Sequence, residues 1–150
     1  MTLKVIDISS HQSVEQAGMD GIDGVIVKAT QDVTYINPKC DPQYQLAKSK
    51  GRLLGVYHYA GGGDPVAEAD FFLKNIKGYI HEAVLALDWE SGQNASWGDS
   101  SWCRRFVNRV HEKTGVWCLI YVQASAVQQV ANCANDCPLW IAGYPTNAAS

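Results

Sequence analysis

Two carboxylates, Asp88 and Glu90, stand two positions apart at the end of an apolar run covering 83–89. Side chains alternate along a strand, so Ala86, Asp88 and Glu90 share one face while Leu85, Leu87 and Trp89 share the other. Two acids on one face of an apolar strand repel each other and lose solvation. Both effects raise the pKa of one member, which leaves a proton donor beside an anion. Glycoside hydrolysis uses that pairing, an acid for the leaving oxygen and an anion against oxocarbenium-like charge. Asp7, at the end of the first apolar run, can face the same space as a third carboxylate. A competing reading makes Asp88 one half of an ion pair with Lys28. Strand geometry sets the α-carbons of Asp88 and Glu90 about 7 Å apart. A carboxyl separation of about 5–5.5 Å would favour retention and about 6.5–9.5 Å inversion.

Other chemistries find less support. The four histidines, His11, His58, His81 and His111, show none of the His-x-His, His-x-x-x-His or His-Glu-x-x-His spacings of metal sites. His58 beside Asp7 and Asp88 is the one mixed nitrogen and oxygen set that the pattern allows. No metal and no cofactor is expected. No Gly-x-Ser-x-Gly elbow supports acyl transfer. The stretch from Asp7 to Gln12 has no glycine, and Gly61-Gly62-Gly63 lacks the Gly-Lys-Ser/Thr ending, so it is only a weak phosphate signal. Aromatic residues at or beside strand ends, Tyr57, Tyr59, Trp89, Tyr121, Trp140 and Tyr144, suit the apolar faces of sugars better than a nucleotide.

The elements that position these residues are legible in the periodicity. Apolar runs at 3–8, 25–29, 53–59, 83–89, 116–122 and 139–142 read as strands buried on both faces. Between them, 13–18, 41–50, 65–77, 100–113 and 124–132 read as helices. Asp64-Pro65 is a helix-start signal, and Gly51, Gly78 and Gly115 follow candidate helices. Alternation of strand and helix predicts parallel βα units. In such sheets and barrels, ligands bind at the carboxyl ends of the strands, where Asp7, Lys28, Tyr57, Tyr59, Asp88, Glu90, Tyr121 and Tyr144 fall.

Composition bounds the partners. The 150 residues, 47% hydrophobic, fit one domain, and a net charge of −3 lacks the basic excess of a nucleic-acid binder. No apolar run approaches the ~20 residues that cross a bilayer. Asp7 falls where a signal peptide has its apolar core, so the expectation is synthesis in the cytoplasm without a leader. The five cysteines, Cys40, Cys103, Cys118, Cys133 and Cys137, are then expected as thiols, with a local Cys133–Cys137 bridge the alternative outside a cell.

Five strings carry a family resemblance in register: Val5-Ile6-Asp7-Ile8-Ser9-Ser10-His11-Gln12; Val25-Ile26-Val27-Lys28-Ala29-Thr30 with Tyr35-Ile36-Asn37-Pro38; Gly55-Val56-Tyr57-His58-Tyr59-Ala60; Leu85-Ala86-Leu87-Asp88-Trp89-Glu90; and Leu139-Trp140-Ile141-Ala142-Gly143-Tyr144. Together the chain resembles the glycoside hydrolase family 25 muramidases, the Chalaropsis-type lysozymes common among phage endolysins. The resemblance implies hydrolysis of the β-1,4 bond between N-acetylmuramic acid and N-acetylglucosamine, with bacterial peptidoglycan strands as partner and the cell wall as place of action. It gives Glu90 the general-acid role. Asp88 becomes the nucleophile or the group that orients the substrate 2-acetamido, and Asp7 a third acid shaping the site. Lys28, Tyr57, Tyr59, Trp89, Tyr121 and Trp140 are expected along the groove. The implied fold is an irregular TIM-like (β/α) barrel of eight strands. Six are visible here, so residues 1–150 are expected to be a C-terminally truncated catalytic domain, completed by missing C-terminal strands or by another chain. The alternatives are a non-catalytic peptidoglycan-binding module and a metal-dependent polysaccharide deacetylase on a similar barrel.

Overall fold

The computed structural model describes residues 2–143, so Tyr144 lies outside the described residues. Seven strands form one sheet: β1 (Val5–Ile8), β2 (Gly24–Gln31), β3 (Tyr35–Ile36), β4 (Leu53–Tyr59), β5 (Val84–Trp89), β6 (Leu119–Gln123) and β7 (Leu139–Ala142). The order β1-β2-β4-β5-β6-β7 is parallel throughout, and β3 pairs antiparallel with the end of β2. Strands that neighbour each other in chain order, with no reversal, wind in the manner of a barrel rather than of a doubly wound sheet. The sheet curls: Asp7 on β1 and Trp140 on β7, near opposite edges, line one cleft. The result is an α/β half-barrel. The two-residue β3 went unforeseen because two residues carry no periodicity.

Three α-helices, α1 (Cys40–Ser49), α2 (Pro65–Asn75) and α3 (Trp102–Thr114), cover the convex face. At α2 the expected start holds, with Asp64 accepting from the Val66 N–H at 3.0 Å and Pro65 following it. At the end of α3, Gly115 takes φ +76° and donates its N–H to the His111 carbonyl at 2.8 Å. Gly78 does not close α2, which ends at Asn75; Gly78 lies within a 3-10 turn, Lys77–Tyr79. The two other expected helices are 3-10 segments, Val14–Gly18 and Ala124–Cys133.

Alternation splits each strand between two environments. Outward residues Val25, Val27, Val56, Leu85, Leu87, Trp89, Ile120 and Val122 are buried with Tyr44, Ala47, Phe72, Phe106, Val107 and Val110 of the helices. Phe106 sits at the hub, its ring 5.2 Å from His58, 5.6 Å from Trp102 and 6.1 Å from Phe72. All five cysteines are buried free thiols, including Cys133 and Cys137, and they pack as small apolar groups. The concave face is covered less. Val5, Ile26, Leu54, Leu119, Leu139 and Trp140 line an apolar hollow of about 500 Å³, and among the described residues the outer edges of β1 and β7 pair with no further strand. No helix of the described residues is long and apolar enough to cross a membrane.

Truncating the hub residue, Phe106→Ala, is expected to cost about 3–5 kcal/mol of stability, because a fully buried ring leaves a cavity among rigid neighbours. Urea denaturation followed by tryptophan fluorescence measures it, and a loss below about 1 kcal/mol would mean the helices do not pack through this ring.

Candidate active site

The curl and the register bring three acids together at the carboxyl ends of the strands. Tyr59, Asp88, Tyr121 and Trp140 form one tier across β4 to β7, with Lys28, Tyr57, Ala86 and Leu119 the tier next to it. Asp7, Tyr57, Asp88, Glu90, Tyr121 and Trp140 line one narrow cleft over Ile26, Ala86 and Leu119. Its enclosed part is about 60 Å³. That is far below the ~300–1,000 Å³ of pockets that swallow a small molecule, so a bulky ligand would lie across the strand ends rather than sink between them.

Asp88 is 8% exposed, and its Oδ1 is buried without a hydrogen-bond partner. Burial pushes its pKa up to about 9, with a hydrogen bond to Glu90 and the charges of Glu90 and Asp7 adding to the effect and Lys28 opposing it. The retained proton therefore sits on Asp88, the more deeply buried acid. The pKa of Asp7 is also raised, chiefly by the apolar walls that shield it and then by Glu90. Tyr57 and Tyr121 have phenols held above the ordinary tyrosine value, by burial first and then by the three acids.

Lys28 does not hold Asp88 in an ion pair. Its Nζ donates to Gln31 Oε1 at 2.6 Å and stands over the rings of Tyr59 and Tyr35, at 4.9 and 5.1 Å. Burial depresses its pKa, and the charges of Asp88 and Glu90 partly restore it. Tyr59 sits at the rim, donating its hydroxyl to the Gly92 carbonyl at 2.8 Å. A register shift between Lys28 and Thr30 explains how β2 serves both faces: Lys28 lies opposite Tyr57, whereas Thr30 lies opposite His58 on the outer side. The same shift sets Gln31 opposite Tyr59, where its Nε2 donates to Gln93 Oε1 at 2.8 Å. Asp32 and Gln93 flank that contact in left-handed backbone, at φ 54° and 55°. Sequence reasoning missed Gln31, Tyr35 and Gln93, since neither a bulge nor a two-residue strand has a compositional signal.

One expectation needs correction. Trp89 is not on the groove: it is fully buried on the outer face against Trp97 and Trp102, with its Nε1 donating to Gln129 Oε1 at 2.9 Å. Its parity is that of Leu85 and Leu87, and the apolar side of the sheet claims the indole. His58 is likewise on the outer face, away from Asp7 and Asp88, between Thr30 and Glu68. Among the described residues no group of three His, Cys, Asp or Glu side chains is placed to hold a metal ion. The glycine run is not a phosphate cradle either, because the N–H groups of Gly61 and Gly63 donate to the Glu68 carboxylate.

A family model described as glycosyl hydrolases family 25 matches residues 6–150. The autolytic lysozyme of Clostridium acetobutylicum is 33% identical over 147 residues, covering 95% of this chain and 45% of that protein. The N,O-diacetylmuramidase of Chalaropsis sp is 33% identical over 142 residues, covering 83% of this chain and 67% of its own length. The chain thus spans about half to two thirds of these relatives. The solved muramidase from Trichobolus zukalii superposes with a TM-score of 0.80 at 31% identity, covering 97% of this chain and 79% of that one.

The raised acid ties stability to pH. Native Asp88 keeps its proton to about pH 9, whereas an unfolded aspartate releases it near 3.8, so the native state binds the extra proton between those values. Stability is therefore expected to fall as pH rises through that window. Asp88→Asn removes the penalty. Its urea midpoint at mildly alkaline pH should exceed that of the parent protein by an amount worth on the order of 1–3 kcal/mol, and its pH dependence should be flatter. A midpoint that drops at alkaline pH would contradict the burial of this carboxyl as a neutral acid.

Proposed function

The chain belongs to glycosyl hydrolase family 25, and from that premise we propose that it is a muramidase cutting the β-1,4 bond between N-acetylmuramic acid and N-acetylglucosamine in bacterial peptidoglycan. The observation that carries the reading is the hydrogen-bonded pair Asp88 and Glu90 at the floor of an aromatic cleft. Peptidoglycan strands of the cell wall are the substrate, laid across Tyr57, Tyr121 and Trp140, with Lys28 and Tyr59 at the rim. The names of the relatives, autolytic lysozyme and N,O-diacetylmuramidase, favour the same substrate.

The route is retention with the substrate's own acetamido group as nucleophile, which stands outside the carboxyl-spacing rule for direct displacement. Asp88 lines the cleft, where its carboxylate can orient the N–H of a substrate acetamido group. As that N–H arrives, Asp88 hands its proton across the shared bond to Glu90. Asp88 is then the anion that orients the acetamido, and Glu90 the acid. The acetamido oxygen attacks C1 while Glu90 protonates the departing glycosidic oxygen. Water then opens the oxazolinium and returns a proton to Glu90. Asp7 adds negative charge that favours the cationic ring. No metal or cofactor enters this scheme.

The domain reading extends the half-barrel. Further strands, following in the same protein or supplied by another chain, would pair with the free edges of β1 and β7, fill the apolar hollow and close an irregular TIM-like barrel. The unpaired edges and the exposed concave face support it.

Replacing the acid, Glu90→Gln, is expected to lower release of new muramic acid reducing ends from purified walls about 10²–10⁴-fold while co-sedimentation with walls persists. Mass analysis of the digest identifies the bond cut. Equal release by both proteins would remove Glu90 from the acid role. Wall binding without release by either would establish the non-catalytic binding module instead.

A further inference from the structure

The glycine run and a buried Glu68–His58 pair outside the cleft are joined to Glu90 by a continuous set of hydrogen bonds. Glu68, on the first turns of α2, is fully buried. Its Oε1 accepts from His58 Nε2 at 2.8 Å and from the Gly61 N–H at 2.9 Å, and its Oε2 accepts from the Gly63 N–H at 2.8 Å. His58, also fully buried, accepts at Nδ1 from the Thr30 hydroxyl at 2.7 Å. Burial lowers the His58 pKa despite the carboxylate beside it, which fits a neutral ring donating from Nε2 and accepting at Nδ1.

The carbonyls of the same glycines point the other way. Gly61 accepts from the Ala95 N–H at 3.0 Å, Gly62 from Ser96 Oγ at 2.6 Å, and Gly63 from Trp102 Nε1 at 2.7 Å. Gly62 has φ +84°, and a Cβ there would lie 2.4 Å from the backbone nitrogens of Ala95 and Ser96, so the two segments touch backbone to backbone. Asn94, in that second segment, donates its Nδ2 to the Glu90 carbonyl at 2.9 Å and accepts the Ser96 N–H at 3.0 Å. Glu68 thus grips the loop after β4, and that loop grips the segment that holds the backbone of Glu90.

A buried carboxylate is costly unless its hydrogen bonds are met, so Glu68 is not there merely to fill the core. We propose that Glu68, oriented by His58, is a positioning residue for the Asp88 and Glu90 pair, fixing Glu90 through the 61–63 loop and Asn94. The proposal rests on the muramidase reading only for its catalytic consequence; the positioning itself is a property of the folded protein. Glu68→Gln keeps the volume but exchanges one acceptor oxygen for an NH₂ group, which faces donors and releases one end of the loop.

The test compares carboxyl ¹³C NMR titrations of Asp88, with urea midpoints, in the parent protein, Glu68→Gln, Ser96→Ala and a stability control, Val110→Ala, whose buried apolar side chain on α3 makes none of these hydrogen bonds. Loosening Glu90 weakens its hold on the neighbouring acid, so the Asp88 midpoint should drop by about one unit in Glu68→Gln and by less in Ser96→Ala. Val110→Ala should leave it unmoved. On walls, Glu68→Gln should lose about tenfold in kcat with KM nearly unchanged. Should Glu68→Gln fail to fold, Ser96→Ala decides, since it deletes a single loop contact. Parent-like Asp88 titration in the folded variants, or an equal shift in Val110→Ala, overturns the proposal. Absence of muramic acid release by the parent protein sinks the muramidase reading alone and leaves the titration comparison intact.

Discussion

The site depends on one costly contact, two carboxyl groups held against each other where water is scarce. Bulk water would let both ionise and separate. Here Asp88 is buried at the floor of the cleft and Glu90 follows it on the same face, so Asp88 keeps its proton. The arrangement needs a sheet that curls until β1 faces β7, because only then do Asp7, Tyr121 and Trp140 shut water out from the sides. It also needs a loop beyond β5 that cannot drift.

The opposite face of the same strands supplies the rigidity. Leu85, Leu87 and Trp89 alternate with Ala86 and Asp88 along β5, so each residue that shapes the cleft is backed by one locked into the helices. The bulge in β2 extends this division. By slipping the register after Lys28, it aims Lys28 and Gln31 at the cleft side and Thr30 at His58 behind it. A polar network in the core and a polar network at the rim thus leave one strand in opposite directions.

Much of this was legible in the residues themselves. The alternation of apolar runs and helices predicted six of the seven strands, and the parity of Asp88 and Glu90 correctly placed both on one face. The same parity set Trp89 with Leu85 and Leu87, yet its aromatic character drew it into the expected groove; burial decided in favour of parity. His58, flanked by two cleft tyrosines, follows the same alternation to the outer face, where it is hydrogen-bonded to Thr30 and Glu68. The two-residue β3 and the bulge leave no periodic trace, and the pattern that marked 13–18 and 124–132 as helical does not separate a 3-10 from an α-helical winding. Glu68 reads from sequence as an ordinary solvent-facing helix residue, and only the converging N–H groups of Gly61 and Gly63 reveal why a carboxylate is buried there.

The retained proton can be observed directly. A protonated carboxyl has an infrared C=O stretch distinct from that of carboxylates, and at neutral pH every solvent-exposed acid is ionised. Infrared difference spectra of the parent protein and Asp88→Asn at neutral pH should show one protonated carboxyl band that disappears with the substitution and that shifts when Glu90 is changed to Gln. A parent spectrum with no protonated carboxyl, or a band indifferent to Asp88, would contradict the account at its root.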